Sequence, residues 1–194
     1  EKHLADSVRA ILSQKYLGTI EVILALGPSR DLTNEIAARL ASEDSRITLV
    51  ENPSGKTAAG LNRALNASTQ EIVVRVDAHA EIPDNYLEIV VETLRESGAV
   101  NVGGVMGAEG ITFFETAVAA AMCSPFGVGG SRFHIGGRAG YVDTVYLGAF
   151  IRQAVVDVGG FDERFVRAQD WELNYRLRQN GGKIYFDPRL HVTY

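Results

Sequence analysis

Apolar residues along the first half of the chain alternate between two periods. Leu4, Val8, Ile11 and Leu12 follow the i, i+4, i+7, i+8 spacing of a one-sided helix. Ile20 to Leu26 (IEVILAL) is then a continuous apolar run rich in β-branched residues, the pattern of a buried strand. Asp31 is placed to cap a helix carrying Leu32, Ile36 and Leu40. Ile47 to Val50 predicts a short strand, Asn52-Pro53-Ser54-Gly55 a turn, and Ala58, Leu61 and Leu65 the next helix. Ile72 to Val76 predicts another strand. Pro83 opens a helix whose Leu87, Val90, Val91 and Leu94 share one face, and Gly98 is placed to end it.

The second half is patterned differently. Glycines are frequent from Gly103 to Gly140 and strand signals are weak, with one helix expected from Phe113 to Met122. Gly127 to Gly140 suits loops that shape the acceptor side of a substrate site. Asp143 to Phe150 resumes a strand pattern, and Arg152 to Val158 predicts a short helix ended by Gly159-Gly160. Asp170 to Asn180 predicts a helix stopped by Gly181-Gly182, before a last strand from Lys183 to Phe186. There is no internal repeat and no low-complexity linker, so residues 1–194 read as one domain. Alternating strands and helices with near-continuous apolar strands imply a parallel α/β sheet covered on both faces. Ligands in such sheets bind beyond the carboxyl ends of the strands. A domain of this kind opens with a strand, whereas this chain opens with a helix. A first strand, and any targeting or membrane segment, is therefore expected to lie outside these residues.

A chain of 194 residues with 46% hydrophobic content is long enough for one full core. Its 19 basic and 24 acidic residues give a net charge of −5 with no basic block, which argues against nucleic acid as a partner. Cys123 is the only cysteine, so a disulfide framework and a thiolate metal cluster are excluded, and a reducing compartment fits. The longest apolar stretches, such as Ala117 to Cys123, fall far short of the ~20 residues that a membrane helix needs.

Several motifs fail on inspection. Gly55-Lys56-Thr57 lacks the earlier glycine of a phosphate loop, since Val50 stands there. Gly127-Val128-Gly129 and Gly103-Gly104 complete no dinucleotide fingerprint, and there is no Gly-x-Ser-x-Gly elbow. Three features survive. Asp77-Ala78-His79 ends the apolar run IVVRV, and residues two apart in a strand share a side, so a carboxylate and an imidazole can grip one cation such as Mn²⁺. Asp77 equally suits a turn cap. Asp170 begins a helix, where a carboxylate is favoured electrostatically; it also suits a general base, with Glu172 as a rival pointing elsewhere on the helix. His191, in Leu190-His191-Val192, reads by itself as a loop residue after a strand.

Taken in order, Asp77-Ala78-His79, then GGFDERF, then QDWELNYRLR, then a glycine and a closing strand resemble the inverting glycosyltransferases of family 2, which have the GT-A fold. The flavour is that of bacterial enzymes building succinoglycan-type exopolysaccharides, and the resemblance runs from Leu4 to Tyr194. It implies a mostly parallel, twisted sheet with helices on both faces, a nucleotide-binding half at about residues 1–80 and an acceptor and catalytic half at about 81–194. Asp77 and His79 match the family's Asp-x-Asp motif, which holds a divalent cation, Mn²⁺ or Mg²⁺, against the nucleotide diphosphate. Related GT-A enzymes that transfer N-acetylgalactosamine use an Asp-x-His version completed by a second histidine, and His191 occupies a comparable place. Asp170 matches the catalytic base, with Gln169 replacing the usual Glu before it. Lys56 and Asn62 match a segment lining the nucleotide pocket, where with Asp77 they would contact the donor. Two departures stand out: Ala25-Leu26-Gly27 lacks the acid that reads the nucleobase, and the first strand is missing.

The resemblance therefore implies an inverting transfer from a nucleotide-diphosphate sugar, UDP being the family's usual nucleotide, to a glycan or lipid-linked acceptor. It implies a cytoplasmic protein, with association with the inner face of the membrane through segments outside these residues left open. Two other readings stay open: a sugar-phosphate nucleotidyltransferase, which shares the α/β plan and the metal, and a non-catalytic nucleotide- or sugar-binding module.

Overall fold

A computed structural model describes residues 2–107 and 132–193. The helix expected at Phe113 to Met122, Cys123 and the first part (127–131) of the Gly127 to Gly140 loops lie outside the described residues. Helix α1 (Leu4–Leu12) leads to β1 (Val22–Leu26), α2 (Thr33–Glu43), β2 (Ile47–Glu51), α3 (Thr57–Ala67) and β3 (Ile72–Val74). Then come α4 (Tyr86–Ser97) and β4 (Asn101–Gly107), and, beyond the undescribed stretch, α5 (Arg132–Ile135), β5 (Gly140–Val142) and β6 (Tyr146–Ile151). Helices α6 (Arg152–Asp157) and α7 (Gln169–Gln179) precede β7 (Ile184–Thr193).

Apart from α5, which lies where loops were expected, the helices fall where the sequence puts them. Leu4 and Val8 of α1 are buried against Val22, Leu40 and Ile47. Asp31 Oδ1 accepts the Thr33 N–H (3.1 Å) at the start of α2, satisfying an amide that the helix leaves open. Helix α4 begins three residues after Pro83, whose carbonyl accepts the Tyr86 N–H. Gly98 closes it with φ of +60°, in the left-handed region that a glycine enters without steric cost.

The strands pair in two groups. β1 and β2 run parallel as one pair. The other five order as β3-β6-β4-β7-β5. Within that sheet β4 and β7 are parallel, while β6 is antiparallel to both β3 and β4, and β5 is antiparallel to β7. Strand direction leaves no trace in the apolar period, so β6 reads like its neighbours in the sequence. The last strand is also longer than Lys183 to Phe186. Between the Gly103–Phe186 and Val105–His191 pairs, β4 advances two residues and β7 five. Asp187-Pro188-Arg189 forms this bulge, and buried Asp187 accepts the hydroxyl of Thr93 (2.9 Å) there. His191 consequently lies within β7 rather than in a loop after it.

The five-stranded sheet is buried on both faces. On one face Tyr86, Ile89, Val90 and Leu94 of α4 pack against Val102, Leu147, Ala149 and Leu190. On the other, Leu65 of α3, Val155 of α6, and Leu173 and Leu177 of α7 pack against Phe150, Ile184 and Phe186. At ~1.5–3 kcal/mol for each large side chain buried, these two layers are the main stabilisation. They also fix α7 rigidly to the sheet.

β1 and β3 are not hydrogen-bonded to each other. Each turns one edge toward a cavity of about 660 Å³ that lies between them. The Val22 N–H donates to the Arg46 carbonyl and the Leu26 carbonyl accepts from Asn52, so even-numbered residues of β1 face β2. The amides of Ile23 and Ala25 therefore face the cavity. Hydrogen exchange should split β1 by parity, with Ile23 and Ala25 exchanging at least ~10-fold faster than Val22 and Leu24. Equal protection of the four amides would contradict an open edge.

Candidate functional site

The carboxyl ends of β3, β4 and β7 and the start of β6 lie at one end of the sheet, as the pairing directions require. Arg75 follows β3 directly, and its backbone N–H donates to the Gly148 carbonyl (3.2 Å). Its side chain is only 10% exposed. The guanidinium Nη1 donates to both carboxylate oxygens of Asp170, at 2.6 and 2.7 Å. Its Nε donates to Asp77 Oδ1 at 3.0 Å. One buried cation thus binds together two carboxylates that are 93 residues apart in the chain. Such a cation is poorly hydrated and strongly attracted to both partners, so it fixes their positions.

Asp170 sits in the first turn of α7, with a side chain 22% exposed. Burial raises its carboxyl above the usual aspartate value, and the Arg75 charge opposes that rise. The helix that carries it is held from three sides. Leu173 and Leu177 are buried beneath it. Asn174, also buried, accepts from Asn101 (2.7 Å) of β4 and donates to the Thr144 hydroxyl (2.9 Å). Arg176 donates to the carbonyls of Val158 (2.5 Å) and Gly160 (2.8 Å) and pairs with Glu172. Glu172 is thereby committed to Arg176, which removes it as a rival to Asp170.

Two non-glycine residues among those described have positive φ, and both flank this cluster. Leu147 (φ +43°) follows Tyr146, and Ala168 (φ +58°) lies two residues before Asp170. Each such conformation costs on the order of 1–3 kcal/mol and persists only where the surroundings enforce it. Tyr146 feels the charges of Asp77, Arg75 and Asp170, and burial together with the two carboxylates holds its hydroxyl protonated. Neither Arg75 nor Tyr146 is singled out by sequence reasoning. The available signal was an arginine standing inside an otherwise apolar strand run, where an unpaired charge is not tolerated.

The cavity between β1 and β3 is lined by Asp77 and, beyond the ends of β1 and β2, by Gly27, Asn52, Gly55 and Thr57. Buried Asn52 shapes the turn after β2 by donating to the Lys56 carbonyl (3.0 Å) and accepting from the Ser54 hydroxyl (2.8 Å). Lys56 is exposed at the start of α3, between Gly55 and Thr57, which line the cavity. Mouth, carboxylates and exposed lysine form one polar end on an otherwise apolar layered core.

A family model, Glycosyl transferase family 2, matches residues 1–157. The chain belongs to this family. Among curated relatives it is 35% identical over 175 residues to the succinoglycan biosynthesis protein ExoA of Rhizobium meliloti, covering 89% of this chain and 53% of the relative. It is 22% identical over 203 residues to a Methanococcus voltae enzyme, dolichyl N-acetyl-alpha-D-glucosaminyl phosphate 3-beta-D-2,3-diacetamido-2,3-dideoxy-beta-D-glucuronosyltransferase, covering 100% of this chain and 63% of the relative. The chain therefore spans between half and two thirds of these relatives. Among solved structures, S. aureus TarS superposes with a TM-score of 0.73 at 16% identity, covering 100% of this chain and 34% of TarS. A TarS 1–349 complex with UDP gives 0.71 at 16% identity, covering 57% of that chain. At this identity the likeness establishes the fold, which is GT-A.

The family 2 domain does not bring the three expected metal ligands into one cluster. Among the described residues no three histidine, cysteine, aspartate or glutamate side chains lie together as a cation site. Glu81 pairs with Thr193, so the turn bearing Asp77 and His79 lies beyond the end of β7, while His191 sits further back, its ring beside Gly107. A cation held against a diphosphate needs only one or two protein ligands, because substrate oxygens supply the others. Asp77 and the exposed His79 fit that smaller donor set.

Asn62 has a different task from the expected donor contact. Its Nδ2 donates to the Phe161 carbonyl (2.8 Å) and to Glu163 Oε1 (3.0 Å), and its Oδ1 accepts the Phe161 N–H (2.8 Å). It clamps the loop ahead of α7 to α3. Replacing it leaves both backbone groups of buried Phe161 unpaired. Asn62→Ala should therefore cost about 1–3 kcal/mol in urea unfolding and leave nucleotide affinity within about twofold. A large loss of nucleotide affinity at unchanged stability would instead make it a donor ligand.

Proposed function

We propose that this domain is an inverting glycosyltransferase that moves a sugar from a nucleotide-diphosphate sugar to a hydroxyl of a glycan or lipid-linked acceptor in polysaccharide assembly. The observation that carries this reading is the Asp77–Arg75–Asp170 cluster at the carboxyl end of the sheet. Asp170 accepts the proton of the acceptor hydroxyl as its oxygen bonds to the anomeric carbon. The bond from that carbon to the diphosphate breaks on the opposite side, which inverts the configuration. Asp170 is suited to the task because Arg75 orients it and burial makes it more basic than a surface aspartate.

Asp77 faces the donor side, and exposed Lys56, between the cavity-lining Gly55 and Thr57, is the cation that would meet an incoming diphosphate. A divalent cation, Mn²⁺ or Mg²⁺, would be held by Asp77 and His79, and it would neutralise charge on the departing diphosphate. His191 becomes a third ligand only if the turn moves toward β7 when the donor binds. UDP, the nucleotide present in one complex of this fold, is the first donor nucleotide to test. A nucleotidyltransferase has no use for a base at Asp170, and a binding module has no use for the strain stored beside it. The location of the protein follows that of its acceptor; no helix among the described residues is long and apolar enough to cross a membrane.

The decisive variant is Asp170→Asn, which keeps the shape and removes the base. Transfer should fall ~10²–10⁴-fold, while UDP binding, read by calorimetry with Mn²⁺, stays within about twofold. In the unaltered protein the acid limb of kcat/KM should lie above the usual aspartate range, because the reactive form is deprotonated and its protonation is favoured by burial. Unchanged turnover in Asp170→Asn would remove the assignment.

A further inference from the structure

The exposed side of α7 carries an aromatic face that the transfer chemistry does not use. Trp171 is 56% exposed and Tyr175 48%, one helical turn apart, with ring centroids 6.3 Å apart and planes within 16° of parallel. Phe165 (39%) and Val166 (71%) in the preceding loop are exposed as well. Exposed apolar groups gathered in this way mark a binding surface more often than single exposed residues do. The face starts one residue after Asp170.

We propose that Trp171 and Tyr175 form the acceptor platform, and that their ligand is a neutral glycan chain of pyranose units. This rests on the reading of Asp170 as the base that receives the acceptor proton. A pyranose presents C–H bonds on its flat faces and hydroxyls around its rim. The C–H faces pack on the electron-rich face of an aromatic ring while the hydroxyls stay hydrated. From Asp170 to Tyr175 the helix rises about 7.5 Å and turns about 140°, so a glycan that reaches Asp170 from this face bends round the N-terminal end of α7. A chain whose terminal hydroxyl reaches Asp170 would thus pass over Trp171 and then Tyr175.

Charge favours a glycan over an anionic lipid surface. On α7, the loop before it and their ion-pair partners, Asp143, Asp162, Glu163, Asp170 and Glu172 balance Arg75, Arg164, Arg167, Arg176 and Arg178, and four of these arginines are ion-paired. No excess of positive charge is available to attract a membrane. A neutral, partly apolar ligand matches a neutral, aromatic surface.

Trp171 is the single tryptophan of the chain, so its fluorescence reports on the platform without any need for turnover. Titration with neutral β-linked hexasaccharides (glucan, mannan and galactan) should shift or quench its emission saturably for at least one of them. Tyr175→Ala should weaken that affinity at least tenfold, and Tyr175→Phe should restore it. No response to any of the three, or equal affinity in Tyr175→Ala, would overturn the proposal. So would a response to phosphatidylglycerol vesicles in place of the sugars. UDP binding measured on the same samples separates the two readings: its absence counts against the transferase, whereas UDP binding without a glycan response counts against the platform alone.

Discussion

Arg75 is a nearly buried guanidinium with a carboxylate on each side, and the arrangement of the site depends on it. A buried charge is expensive unless it is paired and hydrogen-bonded, and among the described residues Asp77 and Asp170 together meet that requirement for Arg75. Without the guanidinium, the two carboxylates would face one another across a half-buried mouth and repel. With it, the end of an edge strand of the five-stranded sheet is tied to the first turn of a helix from the far end of the chain. The same contact joins the half of the domain expected to meet the donor to the half expected to meet the acceptor.

The surrounding fold makes that contact possible by leaving little freedom elsewhere. Leu173 and Leu177 fix the depth of α7, the Asn101–Asn174–Thr144 chain of hydrogen bonds fixes its rotation, and Asn62 and Arg176 pin the loop that leads into it. Strain at Leu147 and Ala168 is borne where the site is built, as expected when surrounding packing dictates a local backbone shape. The cavity between β1 and β3 opens into the same end of the molecule. The Asp77 side of the cluster is therefore bordered by two strands that are not hydrogen-bonded to each other.

Apolar periodicity located most of the described helices and strands, because burial of one face imposes its own repeat on the residues, but it missed β4, α5 and β5, where glycines interrupt the pattern. The order of Asp77-Ala78-His79, GGFDE and QDWEL carried the family, and Asp170 lies against Arg75 at the carboxyl end of β3. What stayed hidden depends on contacts between distant residues. Arg75 reads as an oddity in a strand until its partner, 95 residues away, is known. The antiparallel β6 is invisible because pairing direction does not alter the alternation of side chains. Three extra residues at Asp187-Pro188-Arg189 displaced His191 from the loop into a strand. Asn62 looked like a donor contact because its motif matched, yet its amide is spent on Phe161 and Glu163.

The coupling of Arg75 to Asp170 is measured most directly by a double-mutant cycle in denaturant unfolding, with Arg75→Met, Asp170→Asn and the pair together. Arg75→Met alone should cost about 3–5 kcal/mol, since it strands two carboxylates in a half-buried site. The double variant should be more stable than the sum of the single losses predicts, by at least ~1 kcal/mol. Losses that add to within ~0.5 kcal/mol would show that the two residues act independently, and the account of the site as one Arg75-centred unit would fail.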